Sequence, residues 1–84
     1  MIEYKKIFIE FWNLKESDWI ACIACGTTAI ELHHLIFKSQ LGKDAPENLA
    51  PVCRNCHNKA HDNKGFNNYL KEIHANNIKR FTEN

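Results

Sequence analysis

Apolar residues recur at helical spacing near the start of the chain, where Tyr4, Ile7, Phe8, Phe11 and Trp12 fall on one face. This predicts an amphipathic helix over residues 3–13 with its aromatics in the core; a strand built from the same Ile and Phe residues is the alternative. Trp12 and Trp19 are read as core rather than as base-stacking platforms. The stretch Ile30–Phe37 is apolar and β-prone and predicts a strand. Gly42, Asp44, Pro46 and Asn48 then give residues 38–48 the composition of a turn and loop. Leu49–Val52 returns as a short second strand, whose pairing Pro51 is expected to limit. A helix follows from Cys56 or His57. After Gly65, the positions Phe66, Tyr69, Leu70 and Ile73, and less regularly Ile78 and Phe81, predict a closing helix over 66–80. The result is a single small α+β domain over 1–84, without repeats, linkers or low-complexity runs.

A chain of 84 residues buries only a modest share of its apolar surface and usually needs a staple. Its four cysteines fall as two pairs, Cys22-x2-Cys25 and Cys53-x2-Cys56, with 27 residues between them. Each pair places two thiolates on a tight turn, and two such knuckles supply the tetrahedral sulfur set that suits zinc. Gly26 follows the first pair where a knuckle often requires positive φ. Two disulfides, or a C-x2-C redox motif, are the alternatives. The segment Met1–Lys6 lacks the apolar region and cleavage site of a secretory signal. No apolar run approaches the roughly 20 residues of a membrane helix. The expectation is therefore a cytoplasmic, reducing location without membrane association, which favours metal over disulfide. A structural Zn2+ on Cys22, Cys25, Cys53 and Cys56 is the expected staple.

Four of the five histidines lie inside or beside this framework: His33, His34, His57 and His61. His57 and His61 are four apart, so on a helix they share a face and can grip one ion. His33 and His34 are neighbours on the expected strand and point to opposite faces. That asymmetry suits one histidine as metal ligand and the other as base. On residue chemistry alone, some of the four can equally be spare zinc ligands or satisfied surface histidines. His74 lies outside the cluster and is assigned no role.

The ordered set Cys22-x2-Cys25, Glu31-Leu32-His33-His34-Leu35 and Glu47-Asn48-Leu49-Ala50-Pro51-Val52-Cys53-Arg54-Asn55-Cys56-His57-Asn58-Lys59-Ala60-His61 resembles the HNH endonuclease family. The resemblance implies a ββα-metal core, two antiparallel strands and a helix around a divalent ion. A structural zinc site built from the four cysteines flanks that core, with a helix at each end of the chain. The resemblance implies that His33 binds the catalytic ion and that His34 is the general base. It implies that Asn48 fixes the loop and so orients that base. It makes His57 a second ligand and His61 a third ligand or a phosphate contact. The implied activity is hydrolysis of DNA phosphodiester bonds by nicking or double-strand cutting.

The chemistry is coherent in its own terms. A histidine titrates near pH 6.5 and can take a proton from water at working pH, so His34 suits the base. A backbone carbonyl or the amide of Asn48 is expected to hold its other ring nitrogen. An ion on His33 and His57 would act as a Lewis acid on the phosphate and the leaving 3′ oxygen. Imidazole ligands favour Zn2+, Ni2+, Co2+ or Mn2+, with Mg2+ retained because phosphate and water can complete its shell.

The net charge is only +1, too small to announce a nucleic-acid partner, but it is uneven. Residues 1–32 carry three basic and five acidic groups, residues 33–84 eight and five. Four thiolates with Zn2+ add −2 and a second dication restores +2, so the positive field near the motif rests on the catalytic ion. Arg54, Lys38 and Lys59, with Lys43 and Lys64, are the candidate phosphate contacts, with ordinary solvated charge as the alternative for each. No recognition helix is evident. Asn67, Asn68, Asn76 and Asn77 can be base readers or plain helix-surface polarity. Weak sequence specificity is expected, or specificity supplied by a partner. Double-strand cleavage from one site would call for a homodimer, a larger phage or host protein partner, or two visits. The compact size fits a phage or mobile-element protein. Two further readings stand beside the nuclease: a non-catalytic zinc-dependent DNA-binding module, and a structural zinc domain that contacts protein.

Overall fold

The computed structural model describes residues 3–83. The first apolar repeat forms helix α1, Glu3–Trp12, which buries Phe8 and half-buries Ile7, Phe11 and Trp12. It stops where Asn13 takes a left-handed φ of 57°, a conformation asparagine tolerates better than most residues. Trp12 lies against Phe81, 4.6 Å between ring centroids, and against His74 at 6.4 Å, so the first and last helices meet through aromatics. Trp19 departs from expectation: it is 66 % exposed and is not core. The turn at 14–20 carries it outward, and its indole N–H donates to Thr28 Oγ1 at 2.9 Å.

The first cysteine pair sits on a hairpin closed by a bridge between Ala21 and Thr28. Cys22 N–H donates to Thr27 O at 2.7 Å and Gly26 N–H to Cys22 O at 3.0 Å. Gly26 takes φ 81°, as the knuckle requires.

Strand β1, Glu31–His34, pairs antiparallel with β2, Leu49–Val52, in the register Glu31↔Val52 to His34↔Leu49. The strand is shorter than the Ile30–Phe37 expectation. Leu35 N–H still donates to Asn48 O, but Ile36 N–H is taken by the Asn48 side chain, and a 3-10 turn follows at Lys38–Gln40. Pro51 does not curtail the ladder. It faces Leu32, one step from the His33↔Ala50 pair, at a non-hydrogen-bonded position where a missing N–H leaves no gap. All four β2 residues are buried, and Ala50 and Val52 pack with Cys22, Leu35, Ala60 and Leu70 in one cluster.

Helix α2, Arg54–Asp62, begins ahead of Cys56 because Cys53 holds the extended N-cap conformation and its carbonyl accepts from His57 N–H at 2.9 Å. Asn63 alone separates it from α3, Lys64–Thr82, which is longer at both ends than the 66–80 expected. The Asn63 side chain accepts from Phe66 N–H and caps α3. Among the described residues, no helix is long and apolar enough to cross a membrane. The architecture is thus the small α+β fold expected: a two-stranded sheet, three helices, and a cluster of four cysteines between the knuckle and the start of α2.

Candidate active site

The four cysteines meet. The Cys22, Cys25, Cys53 and Cys56 sulfurs all lie within 4.8 Å of one another, and Cys25 Sγ is 3.6 Å from Cys53 Sγ. A disulfide requires about 2.05 Å, whereas tetrahedral zinc with bonds of about 2.3 Å separates its sulfurs by about 3.8 Å. All four are free thiols. Their acidities divide with their surroundings. Burial raises Cys22, but backbone hydrogen bonds from Cys53, Cys25 and Ala24 bring it below its usual range. The Thr27 hydroxyl lowers Cys25, and the backbone of Cys56 lowers Cys53. Burial, then the three neighbouring sulfurs, drive Cys56 far upward. A fourth thiolate is unfavourable there until positive charge joins the set, so the donors fit a soft divalent ion.

A second group forms where β1 faces α2. His33, His57 and His61 bring one ring nitrogen each to within 4.8 Å of the others. His57 Nε2 and His61 Nε2 are 3.2 Å apart, the spacing of two lone pairs converging on one ion. The tautomers are set by groups behind the rings. Asn67 donates from Nδ2 to Leu35 O at 3.0 Å, so its Oδ1 faces His33 and accepts from Nε2–H at 2.7 Å. His33 Nδ1 is thereby left with its lone pair, and it is buried with no protein partner. Burial, against the pull of Asn67, holds His33 below its ordinary pKa and keeps the ring neutral, the form that ligates. On the other side His57 Nδ1 lies 3.1 Å from Glu31 Oε1, which holds the proton there and frees Nε2. Phe37 stacks on His61, 4.8 Å between centroids and 12° from parallel, and fixes the exposed ring. The triad fits a dication held by three imidazoles.

His34 points to the opposite face, as strand alternation requires. Its Nε2 is 2.7 Å from Asp44 Oδ1, and Asp44 Oδ2 takes Lys38 Nζ at 3.2 Å. His34, then Lys38, hold the Asp44 carboxyl below its usual range. Tyr4 meets the imidazole edge-on at 5.1 Å. The group behind His34 is therefore a carboxylate, in place of the carbonyl or Asn48 amide that the sequence suggests. The Asn48 side chain makes no hydrogen bond to His34. It accepts from Ile36 N–H and donates to Ile36 O and Lys43 O, closing the loop that carries Asp44. Its reach to the base is through that loop.

Of the candidate phosphate contacts, Arg54 is exposed at the start of α2, Lys59 lies over the Phe66 ring at 4.6 Å, and Lys38 is paired with Asp44. Asn67 is neither a base reader nor surface polarity, being buried against His33. His74, left without a role, is also buried and bonds Pro46 O at 2.8 Å, tying α3 to the loop before β2. Sequence reading missed Asp44, Glu31, Phe37 and Asn67. Only Asp44, an acidic residue in the loop between base and Asn48, left a local trace.

Comparison with known proteins agrees with this geometry. The family model described as HNH endonuclease matches residues 22–63, half the chain, and takes in both cysteine pairs and the four histidines of the site. The chain belongs to the HNH endonuclease family. It is also similar to the type IV methyl-directed restriction enzyme EcoKMcrA of Escherichia coli (strain K12), 30 % identical over 78 residues. That alignment covers 81 % of this chain and 28 % of the relative, so the chain spans under a third of the curated protein it matches. No solved structure matches it.

Proposed function

We propose that this domain is a metal-dependent DNA endonuclease that hydrolyses phosphodiester bonds at one divalent ion, with His34 as general base. The observation that carries the reading is the juxtaposition of a three-imidazole group, His33, His57 and His61, with a carboxylate-backed histidine on the next residue of the same strand. Membership of the HNH family and the similarity to a restriction enzyme support DNA as the substrate.

With Asp44 on Nε2, His34 keeps its proton there and offers Nδ1 to a water. As that water loses its proton, the carboxylate stabilises the imidazolium, the logic of an acid–histidine pair. Lys38 holds the far oxygen of Asp44 and keeps it aimed at the ring. A divalent ion on His33, His57 and His61 would supply the Lewis acid that neutralises charge on the phosphate and the departing 3′ oxygen. Arg54, exposed at the start of α2, and Lys59, whose Nζ lies over the Phe66 ring, would contact flanking phosphates. The four sulfurs of Cys22, Cys25, Cys53 and Cys56 would hold a structural zinc, tying the knuckle to the start of α2.

Plasmid nicking by protein freed of loosely bound metal, then supplied with Mg2+, Mn2+, Ni2+ or Zn2+, tests this. Cleavage that depends on the ion and falls about 10²- to 10⁴-fold in His34→Ala is expected. No cleavage with any ion, on supercoiled, single-stranded and branched DNA alike, would replace the reading with a zinc-dependent DNA-binding module.

A further inference from the structure

A cleft of about 750 Å³ lies between α1, the turn at 16–20 and the start of β1, within the size range of small-ligand sites, about 300–1,000 Å³. Part of its wall belongs to the candidate active site: Glu31 and His57, paired at 3.1 Å, and Tyr4, which touches His34. The cleft therefore borders the metal-ligand side at His57 and is separated from His34 by the Tyr4 ring that packs on it. The rest of its wall has no assigned role. Trp19 lines it at 66 % exposure, and Ile30 at 61 %.

An exposed indole usually costs order when it binds something. Here that order is already present, because the Trp19 N–H is held by Thr28 Oγ1 at 2.9 Å. The charges in the cleft divide by place along the chain. Glu16 and Asp18 near Trp19 repel phosphate, and a third carboxylate, Glu31, is turned to His57 at 3.1 Å, while Lys5 and Arg54 attract it. A nucleic-acid strand satisfies both by setting its phosphates beside Lys5 and Arg54 and turning a neutral base toward the indole. A base inside a duplex cannot reach such a wall without leaving its stack.

We propose that this cleft binds an unpaired nucleobase of the DNA strand being cut, stacked on Trp19 with Ile30 beside it. The inference rests on the nuclease reading and adds the substrate class: single-stranded or locally unpaired DNA.

The test uses the full chain in a His34→Ala background, so that bound DNA is not consumed, with fluorescence anisotropy on a short labelled single strand and its duplex. Base–aromatic stacking of about 1–3 kcal/mol predicts that Trp19→Ala weakens single-strand binding about 5- to 150-fold. Trp19→Phe should recover most of that loss, and duplex binding should change little. One abasic site walked along the strand should reproduce the loss at one position with Trp19 present and add nothing in Trp19→Ala. Single-strand affinity within about twofold of the parent in Trp19→Ala, or an abasic series with no preferred position, overturns the proposal. Should Trp19→Ala misfold, Trp19→Phe and the abasic series on the parent decide. Plasmid nicking by wild-type protein separates the two readings. Nicking without a Trp19 effect overturns only the stacking site; a Trp19 effect without nicking on any DNA overturns only the nuclease.

Discussion

His33 and His57 present different nitrogens to the same space, and each is fixed by a group behind it. Asn67 keeps the His33 proton on Nε2, and Glu31 keeps the His57 proton on Nδ1. A histidine free to exchange tautomers would offer the wrong nitrogen part of the time, and outer partners of this kind are typically worth about 10- to 100-fold in metal affinity. Asn67→Leu should therefore weaken binding of the catalytic ion by about that factor, as read by calorimetric titration of protein with its cysteine site already filled. The ¹⁵N shifts of the His33 ring, read with the cysteine site filled and the histidine site empty, should at the same time lose the pattern of a single Nε2–H tautomer. Unchanged affinity with an unchanged tautomer would show that Asn67 is there for packing alone. Spacing in the sequence does not reveal this residue, since Asn67 lies beyond the motif on a helix full of asparagines and only its burial sets it apart.

The loop between the strands is held as a unit by one side chain. Asn48 makes three hydrogen bonds to backbone groups of Ile36 and Lys43 and is nearly buried. Gly42 belongs to the same closure: its N–H donates to Phe37 O at 2.9 Å, and a Cβ there would collide with the Ile36 carbonyl. At about 1 kcal/mol for each bond, Asn48→Ala should lower stability by about 2–4 kcal/mol in urea unfolding. Its nicking rate should fall as well, because Asp44 directly follows Lys43, whose carbonyl Asn48 holds. A variant that kept full stability but lost activity would place Asn48 on the substrate instead of in the loop. The composition of this segment announced a loop, yet the loop's partners are backbone atoms, and no residue identity marks a carbonyl as the one that will be bonded.

Across the whole molecule, the cysteine site joins the knuckle to the end of the sheet and the start of α2, beside a backbone bond from Ile23 N–H to Pro51 O at 3.1 Å. The knuckle at 22–25 meets the β2–α2 junction through sulfur, and Cys22 packs in the same cluster as Leu35, Ala60 and Leu70. Structural zinc contributes about 10–16 kcal/mol in small domains, comparable to the entire stability of a fold of this size. If these sulfurs hold zinc, its chelation, or Cys53→Ser, should unfold the domain cooperatively by circular dichroism. A Cys53→Ser protein that stayed folded while losing one metal would break the division into structural and catalytic sites.

The order of elements, the two cysteine pairs and the opposite directions of His33 and His34 were all legible from the residues alone. They follow from local periodicity, from spacing within a turn, and from strand alternation, all of which act over a few residues. The same local rules placed His57 and His61 on one helical face. Which atoms complete the site was settled by packing in three dimensions. Glu31 reaches His57 across 26 positions, Asn67 reaches His33 across 34, and Asp44 reaches His34 because the Asn48 staple folds the loop back. The same holds for Trp19: its aromatic character suggested core, and the turn before the knuckle turned it out into a cleft. Pairings between distant residues depend on how packed elements cross, and a one-dimensional pattern carries no record of that crossing.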